Sequence, residues 1–295
     1  MSETSESLRH KIEGAVELGS VVRTMKALAA SGIAQYERAV ISLEDYYRTV
    51  ELGLVACLRQ HGTATASQAH SEALYAVVFG SDQGLVGQYN EVLAEFVADE
   101  LKGMSVNQHV LVIGERVRGQ LSDAGLQVEK NFAVPNAIAA ITQLTGGILN
   151  EIEALRGDAG QVYLFHNRPK SGGVYEPVMQ RLLPLDEAWR HGLIKQAWPS
   201  KNLPEVMGGN AATLEALIRE YLFISLFRAS AESLASENAA RLIAMQRAEK
   251  NIDELLDELN QSFHQQRQTS IDEELFDVIA GYELLSRSGT SQGGH

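Results

Sequence analysis

The chain has 295 residues, of which 45% are hydrophobic and 21% charged, the composition expected of a soluble protein with a real core in one large or two ordinary domains. A formal charge of −13 speaks against a nucleic-acid binder, which would carry a basic face, and a single cysteine, Cys57, excludes an internal disulfide. The polar, acidic opening Met1–Glu6 is not that of a signal peptide, and no apolar run approaches the ~18 residues that cross a bilayer.

The first long element opens after a Ser5/Ser7 cap region. From there the chain steps alternately by four and three through Leu8, Ile12, Ala15, Gly19, Val22, Lys26, Ala29, Ile33, Tyr36, Val40, Leu43, Tyr47, Val50, Leu54 and Cys57. A mean step of about 3.5 residues predicts a helix with one buried seam, the pattern of a left-handed coiled coil. No proline occurs before Pro135. Gly14, Gly19 and Gly32 each weaken an isolated helix by roughly 1 kcal/mol relative to alanine. The small residues Ala27, Ala29, Ala30, Ser31 and Gly32 let a neighbouring helix approach closely. Cys57 lies in the seam, which predicts a buried small hydrophobe.

After a loop at His61–Thr65, Leu74 to Phe79 is a continuous apolar run rich in β-formers, as a buried strand requires. It leads through Gly80-Ser81-Asp82-Gln83-Gly84-Leu85-Val86-Gly87 into a helical pattern ending near Leu101. His109–Ile113 predicts a second strand, Arg116–Ala124 a short helix, Leu126–Val134 a third strand, and Asn136–Leu155 a helix entered after Pro135. Gln161–His166 is a further strand, and beyond the turn-rich Asn167–Gly173 the run Val174–Leu183 is its hairpin partner. This alternation predicts a small α/β layer with a mostly parallel sheet. Trp189 to Pro204 reads as an irregular crossing.

No proline follows Pro204, and the seam returns through Leu217, Tyr221, Ile224, Ala231, Ala235, Leu242, Met245, Ile252, Leu256, Leu259 and Phe263, with Arg228, Asn238 and Glu249 in the remaining slots. A helix from Glu205 to Leu285 would be on the order of 120 Å long, more than a compact domain can bury. It needs a partner, and the N-terminal seam supplies one. The expected fold is α/β plus a long antiparallel coiled coil, with the terminal helices paired and a central Rossmann-like α/β domain. Its expected parts are a helix at 1–60, the α/β domain at 72–185, a crossing loop at 186–204, a helix at 205–285 and a disordered Gly/Ser tail at 286–295.

The glycine-containing loop after the first strand stands where an α/β enzyme holds phosphate. It has neither the Gly-Lys-Ser/Thr of a P-loop nor G-x-G-x-x-G spacing. A tight strand-to-helix turn, with Asp82 hydrogen-bonding the loop, is therefore expected. The eight histidines show no metal-ligand spacing and read as ordinary polar residues. The clusters Asp253, Glu254, Asp257, Glu258 and Asp272, Glu273, Glu274, Asp277 are spaced as solvated flanks of a seam. No catalytic residue, metal site or cofactor is expected.

The run Ala235-Ser236-Glu237-Asn238-Ala239-Ala240-Arg241-Leu242-Ile243-Ala244-Met245, with Ala248 and Lys250-Asn251, resembles the gamma subunit of F-type ATP synthases. So do Arg267-Gln268-Thr269-Ser270-Ile271-Asp272-Glu273-Glu274-Leu275 and Val278-Ile279-Ala280-Gly281. Val22 to Ala30 is similar to that family's Thr-x-x-Met-x-x-Val-Ala segment, and Ser81–Gly87 to its Ser-Asp-Arg-Gly-Leu-Cys-Gly loop. The Met25–Ala30 wording is also similar to the sodium-type bacterial subgroup. The resemblance runs through the whole chain in order.

It implies a non-catalytic rotor shaft whose paired helices enter a hexamer of alpha and beta subunits, and whose α/β domain is a foot against epsilon and the membrane c-ring. It implies a place on the cytoplasmic face of the bacterial plasma membrane, as a peripheral subunit. By position, Arg267, Gln268 and Asp272 would meet a beta-subunit loop, Met25 and Lys26 would lie at the neck, and Asp82, Gln83 and Gly84 would form a foot loop. Asp272 stands where the family usually has threonine, and Gln83 where it usually has arginine. Two other readings compete: a nucleotide-binding α/β enzyme that dimerises through its helices, and a coiled-coil scaffold that does not rotate.

Overall fold

The computed structural model describes residues 4–60, 73–104, 107–156, 160–170, 174–185 and 210–290, with five single positions between 192 and 202. The loop at 61–65, most of the crossing at 186–204, the stretch 205–209 and the last residues 291–295 lie outside the described residues. Five helices and five strands are assigned among the described residues: α1 (Ser5–Gln60), β1 (Ala73–Phe79), α2 (Tyr89–Lys102), β2 (Asn107–Ile113), α3 (Glu115–Asp123), β3 (Val128–Phe132), α4 (Ile138–Arg156), β4 (Gln161–Pro169), β5 (Tyr175–Leu183) and α5 (Asn210–Thr290). The chain divides into two compact units, Met1–Lys26 with Met245–His295, and Ala27–Ala244.

The larger unit is built on a five-stranded sheet of order β3-β2-β1-β4-β5. β1 pairs in parallel with β2 and β4, β2 with β3, and only β5 runs antiparallel, as a hairpin on β4. Side chains alternate across a strand, and β1 is apolar on both faces because both are covered. Tyr75, Val77 and Phe79 meet Ile148, Leu149 and Ile152 of α4 with Leu226 and Ala229 of α5. Leu74, Ala76 and Val78 meet Leu93 and Val97 of α2 with Val117 and Leu121 of α3. Each such aliphatic side chain contributes about 1.5–3 kcal/mol when fully buried. The edge strand β3, Val-Glu-Lys-Asn-Phe, keeps its middle residues exposed.

In this unit α5 lies between the sheet and α1. Tyr36 of α1 packs with Phe227, Ala231, Leu234 and Ala235. Val50 and Leu54 pack with Tyr221 and Ile224. A side-chain carbon built on Gly32 would sit 2.8 Å from the Asn238 amide, and one on Gly53 3.0 Å from Leu217. Tyr46 Oη donates to Glu220 at 2.9 Å. Rising numbers on α1 meet falling numbers on α5, so the pair is antiparallel. From Tyr221 to Ala240 nearly every position of α5 is buried, because α1 takes one side and the sheet the other.

In the smaller unit the same two helices pack with Leu8, Ala15, Val22, Met245 and Ile252 buried. A side-chain carbon on Gly19 would lie 3.4 Å from Ile252, and Lys26 forms an ion pair with Glu249. Every seam position from Leu8 to Cys57 is buried or half-buried, as are those from Leu242 to Phe263. Cys57 is buried, at 1% exposure. Helix α5 continues to Thr290, past the Leu285 limit read from the sequence and into the expected tail, since Ser286, Arg287 and Ser288 hold no proline and Gly289 alone does not break it. Among the described residues, no helix is long and apolar enough to cross a membrane.

Two glycines hold the β1 and β2 exits together. Gly80 N donates to Ile113 O at 2.8 Å, and Gly114 N to Phe132 O at 3.0 Å. Gly114 has φ of 116°, where a side-chain carbon would lie 2.7 Å from Ser81 O. Gly114→Ala should destabilise by roughly 2–4 kcal/mol. Gly103→Ala, at φ of −77° with only a 3.7 Å neighbour, should be neutral or slightly stabilising. Paired urea denaturation curves check both, and equal midpoints would overturn the steric assignment.

Candidate functional site

In an open α/β sheet a ligand is expected beyond the carboxyl ends of the strands, where connections leave in opposite directions. Here that crevice lies beyond β1 and β4, and the chain fills it with its own helix. Ser233 Oγ donates to Phe79 O at 3.0 Å, the last carbonyl of β1. Tyr89 Oη donates to Ser233 O at 2.9 Å and lies 2.7 Å from Ser233 Oγ. Ser236 Oγ donates to Asn167 O at 2.9 Å, and Asn167 Nδ2 to Tyr89 O at 3.1 Å. Burial pushes the Tyr89 phenol up, so it stays protonated as a donor.

The loop Gly80–Gln88 is a structural turn of the kind its glycines predict. Asp82 Oδ1 accepts from Glu115 N at 2.9 Å, at the N-terminus of α3, and Oδ2 accepts from Val134 N at 2.8 Å. Both carboxylate oxygens are thereby tied inward, and the helix N-terminus favours the negative charge. Ser81 Oγ donates to Gln83 O at 2.9 Å, and Ser81 N to Asn90 Oδ1 at 3.0 Å. Gln83 and Leu85 are exposed and Gly84 is half-buried. Of the foot-loop residues Asp82, Gln83 and Gly84, Gln83 is thus the exposed one.

The other predicted positions are on the two long helices. Arg267, Gln268 and Asp272 are exposed on α5, as are the acidic clusters at 253–258 and 272–277. Met25 and Lys26 are half-buried on α1, with the Lys26 ammonium engaged by Glu249. Arg267 and Asp272 belong to the smaller unit and the foot loop to the larger one. Among the described residues, no group of His, Cys, Asp and Glu side chains could hold a metal ion.

One buried ionic cluster escaped the sequence reading. His166, read as an ordinary polar residue, is 1% exposed and hydrogen-bonds through Nε2 to Glu232 Oε2 at 2.8 Å. Arg228 Nε donates to Glu232 Oε1 at 2.7 Å, and Arg168 Nε to Oε2 at 3.3 Å. Burial favours the neutral imidazole and lowers His166, against the pull of Glu232. Burial alone would raise Glu232, but the hydrogen bond from His166 and the charge and hydrogen bond of Arg228 outweigh it and hold the carboxyl at about 2. A second pair, Glu237 and Arg241, is joined at 2.6 Å, and there burial wins and raises Glu237. The available signal was polar residues on every face of a helical stretch otherwise filled by Ala, Leu and Phe.

A family profile described as ATP synthase matches residues 4–285. An ATP synthase gamma chain from Pasteurella multocida is 26% identical over 94% of this chain and 98% of its own length. One from Polynucleobacter asymbioticus is 23% identical over 95% and 99%. Among solved structures, a chain of the Euglena gracilis mitochondrial ATP synthase superposes with a TM-score of 0.68 at 17% identity, covering 99% of this chain and 97% of that one. A chain of the Tetrahymena thermophila mitochondrial central stalk and c-ring gives 0.57 at 20% identity over 77% and 99%.

The Glu232 carboxyl sets a pH dependence. Its native value of about 2 lies below the ordinary 4.5, so its contribution is complete above about 4.5 and is lost as pH falls toward 2. Glu232→Gln should cost on the order of 3 kcal/mol at neutral pH and flatten the stability curve across that window. Denaturant unfolding at several pH values measures this; an unchanged slope in the variant would overturn it.

Proposed function

The chain belongs to the gamma family of ATP synthases, and we propose that it is the central rotor shaft of an F-type, proton- or sodium-translocating enzyme. It couples rotation of a membrane c-ring to nucleotide-site changes in a hexamer of alpha and beta subunits. It is the non-catalytic subunit of that complex, peripheral on the cytoplasmic face of the bacterial plasma membrane, with epsilon beside its foot.

The contrast along α5 carries this reading. Where the helix passes through the larger unit it is enclosed, but from Ile271 to Ala280 every side chain is exposed. Phe276 is 71% exposed, Val278 70% and Leu275 57%. Apolar side chains spread around a bare helix call for enclosure by other chains. The filled crevice beyond β1 and β4 counts against the nucleotide-binding enzyme, since Ser233 and Ser236 stand where phosphates would lie.

A shaft needs bending stiffness, and the terminal helices supply it as an antiparallel, left-handed coiled coil wound along the two seams. Lys26 and its partner Glu249 fix the neck, and Met25 beside them faces the beta-subunit lever. Higher up, Arg267 and Gln268 donate to a beta-subunit loop, with Asp272 one turn on. In the larger unit Gln83 and Gly84 offer the foot loop, and Asp82 holds its shape. A shaft without threefold symmetry sets three otherwise equal sites apart in energy.

The test is steady ATP hydrolysis by reconstituted alpha and beta subunits. Turnover should depend on adding this chain, and Arg267→Ala should lower it roughly ten-fold, about 1.4 kcal/mol, with assembly unchanged. An assembled Arg267→Ala complex with full turnover would remove that residue from the coupling contact. A chain that neither co-purifies with the subunits nor alters their rate would overturn the shaft reading.

A further inference from the structure

The buried ionic cluster opens on one side to a cavity of about 300 Å³ in the larger unit, at the meeting of α1, β4, β5 and α5. Its wall includes Arg168, Arg228, Gln180 and Ser225, with His166 and Glu232 behind them. Among these residues two guanidinium groups face one carboxylate and His166 is held neutral by burial, with Glu44 of α1 the further carboxylate that acts on Arg228.

The arginines are only partly used. Each donates to Glu232 through Nε, at 2.7 Å from Arg228 and 3.3 Å from Arg168. A guanidinium has five N–H donors in a planar fork, so the terminal nitrogens remain for a further acceptor. Both side chains are part-exposed, at 39% and 45%, so they can be reached from outside. On the same wall, Ser225 Oγ and His166 Nδ1 are buried and have no hydrogen-bond partner among the described residues. With Nε2–H given to a carboxylate, Nδ1 is the acceptor nitrogen of the ring. Leaving such groups unpaired is costly.

One ligand chemistry answers this set. A phosphate oxyanion brings acceptor oxygens for two guanidinium forks and Ser225, and in its protonated form also a P–O–H that can donate to an imidazole acceptor. Bulk water supplies hydrogen bonds but no charge, whereas an oxyanion meets the two guanidinium forks with both. We propose that this cavity binds a phosphate group, held by Arg168 and Arg228.

Calorimetric titration of the full chain with orthophosphate, and separately with glycerol 3-phosphate, tests this. At least one should bind with a Kd below about 10 mM. Tighter orthophosphate assigns the free ion, and tighter glycerol 3-phosphate an esterified group. Arg168→Gln should weaken whichever binds by about ten-fold, the scale of one charge-assisted hydrogen bond. Lys170→Gln makes the same charge change on an exposed residue paired with Glu176 and should leave binding unaltered. Arg168 is part-exposed and its variant leaves Glu232 the closer hydrogen bonds to Arg228 and His166, so the fold is kept at some cost in stability, which the thermal melt verifies. No heat from either ligand, or equal weakening by Arg168→Gln and Lys170→Gln, would overturn the site.

Discussion

A helix enclosed on every side must satisfy each polar atom it carries and still come close to both neighbours, and the stretch of α5 from Tyr221 to Ala240 is placed under that demand. It meets closeness with small residues: Ala229, Ser230, Ala231, Ser233, Ala235, Ser236, Ala239 and Ala240 are all buried. It meets polarity mostly with paired groups, Ser225 Oγ and Glu237 Oε2 being the exceptions among the described residues. The carbonyls at Phe79 and Asn167 stand where the parallel ladder of β1 and β4 runs out, and buried carbonyls need donors. Ser233 and Ser236 provide them. The fold thereby closes the crevice that makes other sheets of this kind ligand-binding, and fixes the helix against the sheet at the same points.

The same demand explains why the charged groups of that stretch are costly to alter. Glu232 has three hydrogen-bonding partners from β4 and from its own helix. An ion group buried this way contributes little net stability, yet removing one partner leaves a charge stranded. Glu237 shows the weaker version: it has one arginine, Oε2 is unpaired, and burial raises its pKa. Two glutamates five residues apart on one helix thus shift in opposite directions from the ordinary carboxyl value, because one has more donors than the other.

The seams were legible because a step of about 3.5 is a local property of the chain, and the buried positions from Leu8 to Cys57 and from Leu242 to Phe263 follow it. The strands were legible for a similar reason: β1 is an unbroken apolar run, and the hairpin β4–β5 is bounded by turn residues. Tertiary pairing was not. Nothing within a few residues of His166 indicates Glu232, 66 positions away, and nothing near Asp82 indicates Glu115 N or Val134 N. Both are made by topology, which brings the ends of β1, β3 and β4 to one side of the sheet. The Arg267 and Asp272 positions were legible only through resemblance, since an exposed arginine on a helix has no physical mark of its partner.

Charge gives Arg267 a mark of another kind. Between Asn251 and Ser286 it is the sole lysine or arginine, set among Asp253, Glu254, Asp257, Glu258, Asp272, Glu273, Glu274 and Asp277. Like charges four residues apart, as at Asp253 and Asp257, weaken a helix by about 0.2–0.5 kcal/mol each, and the flanking Lys250–Glu254 pair at 3.5 Å offsets little of that. The helix therefore depends on its seam rather than its surface for stability. On the proposed reading, one cation on an acidic shaft can engage one of three equivalent acidic partners at a time while its neighbours repel the others. A single side chain then converts the shaft's angle into a difference in energy among sites of identical sequence, which is what directional coupling requires.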